Sequence, residues 1–141
     1  MAIKALANRF DHIVLTVNSI KDTIAFYERA LGFEKETFEG ADGRPRYALR
    51  FGDQKINLQD RATDTSTKAQ VPTFGSGDFC IIAGVPLEEV VAHLRAEHIA
   101  LVAGPVARRG ALGSMRSVYF RDPDGNLVEV SEYINETTGK K

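Results

Sequence analysis

Five polar residues stand in strand-like stretches where apolar neighbours occupy the opposite face of the strand. These residues are His12, Asn57, Gln59, Asp78 and Glu129. An imidazole, amides and carboxylates are ligands that a divalent cation accepts, and an oxygen-rich set favours Mn, Fe, Ni, Mg or Zn. A cation with open coordination positions can polarise a substrate carbonyl. The sequence therefore predicts a metal site, provided that the strands bring these side chains together.

Glu129 lies in the second arm of a predicted hairpin over residues 117–131. Pro123 and Gly125 belong to a cluster of turn formers between two alternating apolar runs, which is the composition of a hairpin turn. Because strand side chains alternate, Glu129 points away from its neighbours Val128 and Val130. Burying an unpaired carboxylate costs several kcal/mol, so we expect Glu129 to be either solvated or held by a cation.

The first half of the chain predicts a βαβββ order. Residues 9–17 alternate around His12 as a strand, and Ser19 with Asp22 begins a helix that Gly32 ends after Leu31. Residues 33–38, 47–51 and 54–59 follow as extended segments separated by glycine-containing turns. Residues 61–76 lack periodicity and are rich in Ser and Thr, as expected of a linker.

The second half repeats the order. Residues 78–83 alternate as a strand, Pro86 opens a helix, residues 99–102 predict a short strand, and 104–114 predict a loop before the hairpin. We therefore predict one α+β domain over residues 1–141, with modules at about 9–60 and 77–133 and a tail at 134–141. Two such modules facing each other would form a curved, incompletely closed β-barrel with the helices outside and a cleft inside.

The composition limits the class of protein. A net charge of −1 and scattered basic residues give no electrostatic basis for nucleic-acid binding. Cys80 is the only cysteine, so one chain can form neither a disulfide nor a thiolate metal site, and we expect Cys80 to be a small buried packing residue. No apolar run is long enough to span a membrane. We expect a cytoplasmic protein with a small-molecule substrate and neither a nucleic-acid nor a membrane partner.

Three segments resemble the vicinal oxygen chelate superfamily, which includes glyoxalase I, extradiol dioxygenases, and fosfomycin- and bleomycin-resistance proteins. They are Asp11–Val17, Phe26–Phe33 and Asp122–Glu129. Gly52–Leu58 and Tyr119–Gly125 are most similar to its small glyoxalase-domain proteins, some described as virulence or dioxygenase-related proteins. The resemblance covers residues of about 9 to 133 and implies paired βαβββ modules, a divalent metal ion in the cleft and, often, a homodimer.

The resemblance carries over residue by residue only in part. His12 and Glu129 match the ligand pattern, whereas Asp78 stands where metal-binding members usually have a second His. Asn57 replaces the carboxylate of glyoxalase I, with Gln59 on the same face as a substitute donor. Glutathione-dependent members tend to have an Arg at the position of Thr16.

Other residues have two open interpretations. Residues 104–114 correspond to a loop that covers the cleft in the superfamily, so Arg108 or Arg109 would meet an anionic substrate group, or else the loop is simply solvated. Tyr119 lines either the cleft or the core. His12 alone would be an ordinary hydrogen-bonded strand residue. Asp122 begins a stretch similar to a calcium loop, but position six would be Leu127, so a turn is the better interpretation.

The preferred hypothesis is a divalent-metal-dependent lyase or isomerase of the glyoxalase type, acting on a small substrate that chelates through adjacent oxygens. Glu129 or Asp78 would act as the general base. An extradiol dioxygenase is one alternative, although its usual set of two His and one carboxylate is incomplete. A metal-free ligand-binding or resistance protein is the other. Pairing of the modules within one chain or between two chains stays open.

Overall fold

The structure of the protein is a computed structural model that describes residues 5–63 and 67–135. Residues 64–66 of the predicted linker and 136–141 of the predicted tail lie outside the described residues. The elements follow in the order β1 (His12–Thr16), α1 (Ile20–Leu31), β2 (Glu34–Glu39), β3 (Pro45–Phe51), β4 (Gln54–Gln59), β5 (Asp78–Ile82), α2 (Leu87–Ala96), β6 (Ala103–Gly110), β7 (Gly113–Arg121) and β8 (Leu127–Tyr133).

Each half forms its own four-stranded mixed sheet. The first sheet has the strand order β1-β4-β3-β2 and the second the order β5-β8-β7-β6. In both sheets the first strand of the module pairs in parallel with its last strand, and the remaining pairs are antiparallel. The described strands therefore repeat one topology, and the predicted α+β fold of two βαβββ modules, curved and incompletely closed, is confirmed.

Local chemistry sets the ends of the helices. The Ser19 hydroxyl accepts a hydrogen bond from the Asp22 backbone N–H at 3.1 Å, which satisfies one of the free donors at the start of α1. Gly32 ends α1 in the left-handed region at φ 70°, where a residue without a Cβ is favoured. Pro86 precedes α2, and the Leu87 N–H donates instead to the Glu132 carboxylate of β8 at 3.0 Å.

One hydrophobic core contains residues from both modules, including Leu15, Tyr27, Ile56, Leu94 and Val130. The helices pack side by side on it, since α1 contacts α2 as well as its own sheet. This places both helices on one side of the two sheets and leaves the other side, which we call the open faces, without a helix. On the open faces lie the side chains that alternate with the core residues.

The turn between β7 and β8 joins the two modules. The Asp122 carboxylate accepts hydrogen bonds from the backbone N–H groups of Asp124 and Asn126 and from the Asn126 side-chain amide, at 2.9 to 3.0 Å. It also accepts the Tyr27 hydroxyl of α1 at 2.8 Å, and Asn126 Oδ1 accepts the Gly77 N–H at 2.6 Å. The interpretation of this motif as a turn is confirmed.

Two predicted elements were wrong. Residues 99–102 are not a strand, because the segment continues the C-terminal turn of α2 through an Ile99 N–H bond to the Leu94 carbonyl. Residues 104–114 are not a loop, because β6 and β7 pair through this segment as a hairpin. Its glycines and Pro105 suggested irregular backbone, but pairing with β7 overrides that local preference.

The inner edge strands of the two sheets, β1 and β5, face each other across a groove, and β2 and β6 are the outer edges. Within the residues that the structure describes, neither helix has the length and apolar character needed to cross a membrane.

Candidate functional site

His12 lies on the open face of the first sheet. Its Nδ1 is 2.8 Å from the Asp11 carboxylate, and this hydrogen bond is the main cause that holds the pKa of Asp11 below its usual value. If Nδ1 carries the proton, Nε2 is the unprotonated nitrogen and is available as a ligand. Carboxylates that orient a metal-binding His in this way are a common outer shell of metal sites.

Asn57 and Gln59 lie on the same open face, in the strand that pairs with β1. Asn57 Oδ1 is buried, and among the described residues it has no hydrogen-bond partner. A buried carbonyl oxygen without a partner is costly, which fits a role as a ligand that is satisfied by a bound group. Gln59 is less free, because its amide donates to the Thr16 hydroxyl at 2.8 Å.

Glu129 lies on the open face of the second sheet, within a polar network. The Ser131 hydroxyl donates to Glu129 Oε2 at 3.2 Å and is also 2.6 Å from the buried Ser117 hydroxyl. Tyr119 is the cross-strand neighbour of Glu129. Partial burial is the main cause that raises the Tyr119 pKa, and the nearby Glu129 carboxylate raises it further. The Ser131 hydroxyl therefore orients the carboxylate, and Tyr119 lies next to it on the neighbouring strand.

The two arginines of the predicted loop lie on β6. Arg108 donates through Nε to the Tyr119 hydroxyl at 2.9 Å, and its guanidinium is stacked at 5.4 Å from the centre of the Tyr119 ring. This contact places Arg108 beside the Glu129 network. Arg109 is exposed, and no hydrogen bond or ion pair of its side chain occurs within residues 5–63 and 67–135.

Asp78 and Cys80 lie on β5, at the groove between the sheets. Asp78 is exposed at the start of the strand. The expectation of a buried Cys80 was wrong: the thiol is exposed, 3.2 Å from the Ser131 hydroxyl. Partial desolvation and the charge of Glu129 raise the Cys80 pKa, so this thiol is not activated as a nucleophile.

The groove between β1 and β5 contains a cavity of about 850 Å³, a volume in the range of small-molecule sites. His12, Lys55, Asp78 and Cys80 line it together with apolar residues of both inner strands. Glu129 lies one strand further from the groove, on β8, which pairs with β5. In one copy of the chain, the predicted ligands therefore lie on two different sheets.

The candidate ligands are of chemical types that a divalent cation accepts. His12 has an oriented ring, Asn57 has an unpartnered oxygen, and Glu129 has a fixed carboxylate. Among the residues that the structure describes, no three His, Cys, Asp or Glu side chains of one copy are grouped closely enough to hold one ion. A complete site would therefore need donors from both modules to approach one another.

Two βαβββ modules with open sheet faces are the architecture of one large protein superfamily. The chain belongs to the Glyoxalase/Bleomycin resistance protein/Dioxygenase superfamily, whose family model matches residues 9–130.

The chain is similar to the virulence protein STM3117 of Salmonella typhimurium, with 47% identity over 94% of this chain and 90% of that protein. The crystal structure of STM3117 matches with a TM-score of 0.85, over 92% of this chain and all of that chain. The glyoxalase domain-containing protein RDO1 of Mycosarcoma maydis is 43% identical over 87% of this chain and 67% of that protein. A lactoylglutathione lyase structure from Agrobacterium tumefaciens is 26% identical, with a TM-score of 0.65 over 91% and 96% of the two chains.

Several residues around the candidate ligands were missed at the sequence level. Asp11 was detectable as the immediate neighbour of His12, and Lys55 shares the strand face of Asn57. Ser117 and Ser131 gave no signal, because a serine in a strand has no pattern that separates a buried hydrogen-bonded hydroxyl from a solvated one.

Proposed function

We propose that the protein is a divalent-metal-dependent lyase or isomerase of the glyoxalase type, acting on a small substrate with adjacent oxygens. The observation that carries the proposal is the orientation of its two best-matched ligands by neighbouring side chains. Asp11 holds the His12 ring, and Ser131 holds the Glu129 carboxylate. Similarity to a lactoylglutathione lyase supports the reaction class.

The cation, when bound, would polarise the adjacent oxygens of the substrate and acidify the neighbouring C–H group. Glu129 would act as the general base once it leaves the cation, accepting the proton from one substrate carbon and returning it to the next. Ser131 fixes the carboxylate through a hydrogen bond, and Arg108 fixes the neighbouring Tyr119. Asp78, exposed at the groove, is the second candidate for the base.

The complete site forms, on this proposal, in a homodimer. The open face of one copy's first sheet would meet the open face of the other copy's second sheet. His12 and Asn57 of one copy would then lie beside Asp78 and Glu129 of the other. Exposed apolar side chains on the inner strands, Val14 at 49% and Ile82 at 50% exposure, support contact between these faces.

Bound metal is the first test. We expect stoichiometric divalent metal by elemental analysis after loading with Mn, Ni, Fe, Zn or Mg, and at least a tenfold loss of affinity in His12→Ala and Glu129→Gln. His98→Asn is the matched control, because His98 is exposed beyond the end of α2 with a positive φ of 59° and Asn tolerates that conformation. Equal metal content in His12→Ala and wild type would refute the ligand assignment.

Mixing two inactive variants tests the shared site. If each site combines His12 of one copy with Glu129 of the other, a heterodimer of His12→Ala and Glu129→Gln has one intact site. Random exchange of subunits should then restore about a quarter of the wild-type sites, since half of the dimers are heterodimers. No recovery after verified exchange would contradict pairing between chains.

Substrate assays separate the reaction classes. The hemithioacetal of methylglyoxal and glutathione tests the lyase reaction, and a catechol panel with an oxygen electrode tests the dioxygenase. Only a dioxygenase consumes oxygen, so oxygen uptake with a catechol would replace the lyase proposal.

A metal-free binding protein is the second candidate. The apolar side chains of both inner strands that line the cavity between β1 and β5 favour it, because they offer an organic ligand contacts that need no metal ion. Ligand binding that is unchanged by chelator and by His12→Ala would support this candidate over the enzyme.

A further inference from the structure

Ser117 and Ser131 form a buried pair of hydroxyl groups on the open face of the second sheet. They are direct partners in the antiparallel pairing of β7 and β8, both are 0% exposed, and their Oγ atoms are 2.6 Å apart. The proposed function uses Ser131 and gives no role to Ser117. A buried hydroxyl is costly unless it is hydrogen-bonded, so the direction of each hydrogen bond within the pair matters.

The chemistry of the neighbouring groups fixes the direction of these hydrogen bonds. In the part of the chain that the structure describes, the polar partners of Ser131 Oγ are Ser117 Oγ at 2.6 Å, Cys80 Sγ at 3.2 Å and Glu129 Oε2 at 3.2 Å. An ionised carboxylate only accepts hydrogen bonds, whereas a hydroxyl has one proton to donate and two lone pairs. Ser131 therefore donates its proton to Glu129. Ser117 must then donate to Ser131, and the Cys80 thiol takes the remaining lone pair.

The Ser117 hydroxyl controls where the Ser131 proton points. The 3.2 Å between Ser131 Oγ and Glu129 Oε2 exceeds the usual range of about 2.5–3.0 Å for an O–H···O hydrogen bond, so this bond depends on good alignment. The 2.6 Å contact between the two serines lies at the short end of that range. Without the donor at Ser117, the Ser131 proton is free to turn toward Cys80, whose sulfur is a weak acceptor. The short hydrogen bond therefore aligns the long one.

We propose that Ser117 is a positioning residue of the candidate site, because the hydrogen bond that it donates keeps the Ser131 hydroxyl directed at the Glu129 carboxylate. The inference rests on the proposed function, in which Glu129 is a metal ligand and the general base. Ser117 touches no substrate and acts only through Ser131. Removing a side chain that orients a metal ligand in this way typically weakens metal binding about 10–100-fold.

The order of the Glu129 side chain in the metal-free protein is the first measurement. NMR relaxation of its methylene groups in the EDTA-treated full chain reports this order. We expect lower order in Ser117→Ala than in the wild type, as in Ser131→Ala, because the carboxylate loses its aligned donor. Ser114→Ala is the matched control and should leave the order unchanged, since Ser114 lies on the opposite face of the same strand.

The affinity for Mn, measured from the EPR signal of the free ion, is the second measurement. We expect Ser131→Ala to weaken Mn binding about tenfold or more, and Ser117→Ala about threefold to tenfold because it acts one step further away. In the Ser131→Ala background, Ser117→Ala should have little further effect. Ser117→Thr and Ser117→Val have similar shapes and differ in the hydroxyl, so Ser117→Thr should bind Mn more tightly. A purely structural role of Ser117 would not produce these two results.

The inference is overturned if Ser117→Ala leaves the order of the Glu129 side chain unchanged, or if this variant binds Mn as tightly as a wild type that binds it. Full additivity of the two serine substitutions would overturn it as well, because Ser117 would then act outside the pair. Failure of the proposed function gives a different result. In that case the wild type binds no Mn, while the order of the Glu129 side chain still depends on Ser117.

Discussion

Removing the hydrogen bond between Tyr27 and Asp122 tests how the two modules are joined. Tyr27 is fully buried in α1, and Asp122 is 5% exposed in the β7–β8 turn. Tyr27→Phe removes only the hydroxyl, and the stacking of the ring on Phe33, with 5.8 Å between ring centres, is retained. The change therefore isolates one buried contact between the halves of the chain.

The expected loss of stability depends on the hydrogen bonds that Asp122 retains. A hydrogen bond to a charged group contributes about 1.5–3 kcal/mol, and Asp122 retains three other donors after the change. We expect the lower end, a loss of about 1.5 kcal/mol in the free energy of unfolding. For a chain of this length that corresponds to a fall in Tm of roughly 5 °C.

Alkaline pH supplies a second measurement. Burial, and next the charge of Asp122, raise the Tyr27 pKa far above its usual value. The stabilisation from this group is complete below the unfolded pKa of about 10 and is lost as pH rises beyond it. We therefore expect the free energy of unfolding to fall more steeply above pH of about 10 in the wild type than in Tyr27→Phe.

Urea denaturation at pH 7 and across the alkaline range measures both effects, with Tyr47→Phe as the control. The Tyr47 hydroxyl makes no hydrogen bond within residues 5–63 and 67–135, so its removal should change stability by less than about 0.5 kcal/mol. The same loss in both variants, or the same alkaline profile in Tyr27→Phe and wild type, would refute the reasoning.

Three further changes test local contacts. Ser19→Ala removes the N-cap of α1 and should cost about 1 kcal/mol by urea denaturation; an unchanged midpoint would contradict the capping role. Gly77→Ala places a Cβ 2.8 Å from Asn126 Oδ1 and should destabilise the protein by about 1–3 kcal/mol in the same assay. Unchanged stability of this variant would contradict the close approach of the two residues. The raised pKa of Cys80 predicts slower alkylation by iodoacetamide at pH 8 than for a small-molecule thiol, and faster alkylation in Glu129→Gln because that change removes a charge that raises the pKa. Identical rates in this variant and wild type would contradict the proximity of the two side chains.

Much of the fold was accessible from the sequence because local chemistry determines it. The cap at Ser19 and the glycine at position 32 mark the ends of α1, and the predicted strand over residues 54–59 matches β4. Alternation also assigned the correct face to His12 and Glu129, since the strand period of two is insensitive to small errors at the ends.

The missed hairpin strand depends on pairing rather than on local preference. β6 contains Gly104, Pro105 and Gly110. These residues are typical of a loop in the sequence, and the segment is extended because it pairs with β7. Likewise, the neighbours of the candidate ligands, Lys55 and Ser131, depend on register across strands, which one sequence does not specify.

The outer edges of the two sheets affect how copies of the chain can associate. β2 has the sequence EKETFE, with a charge at four of its six positions, and β6 contains Pro105 and two arginines. Charged side chains, proline and irregular register discourage a strand from another molecule from adding at an exposed edge. Unlimited fibre-like growth by strand addition at these two edges is thereby opposed.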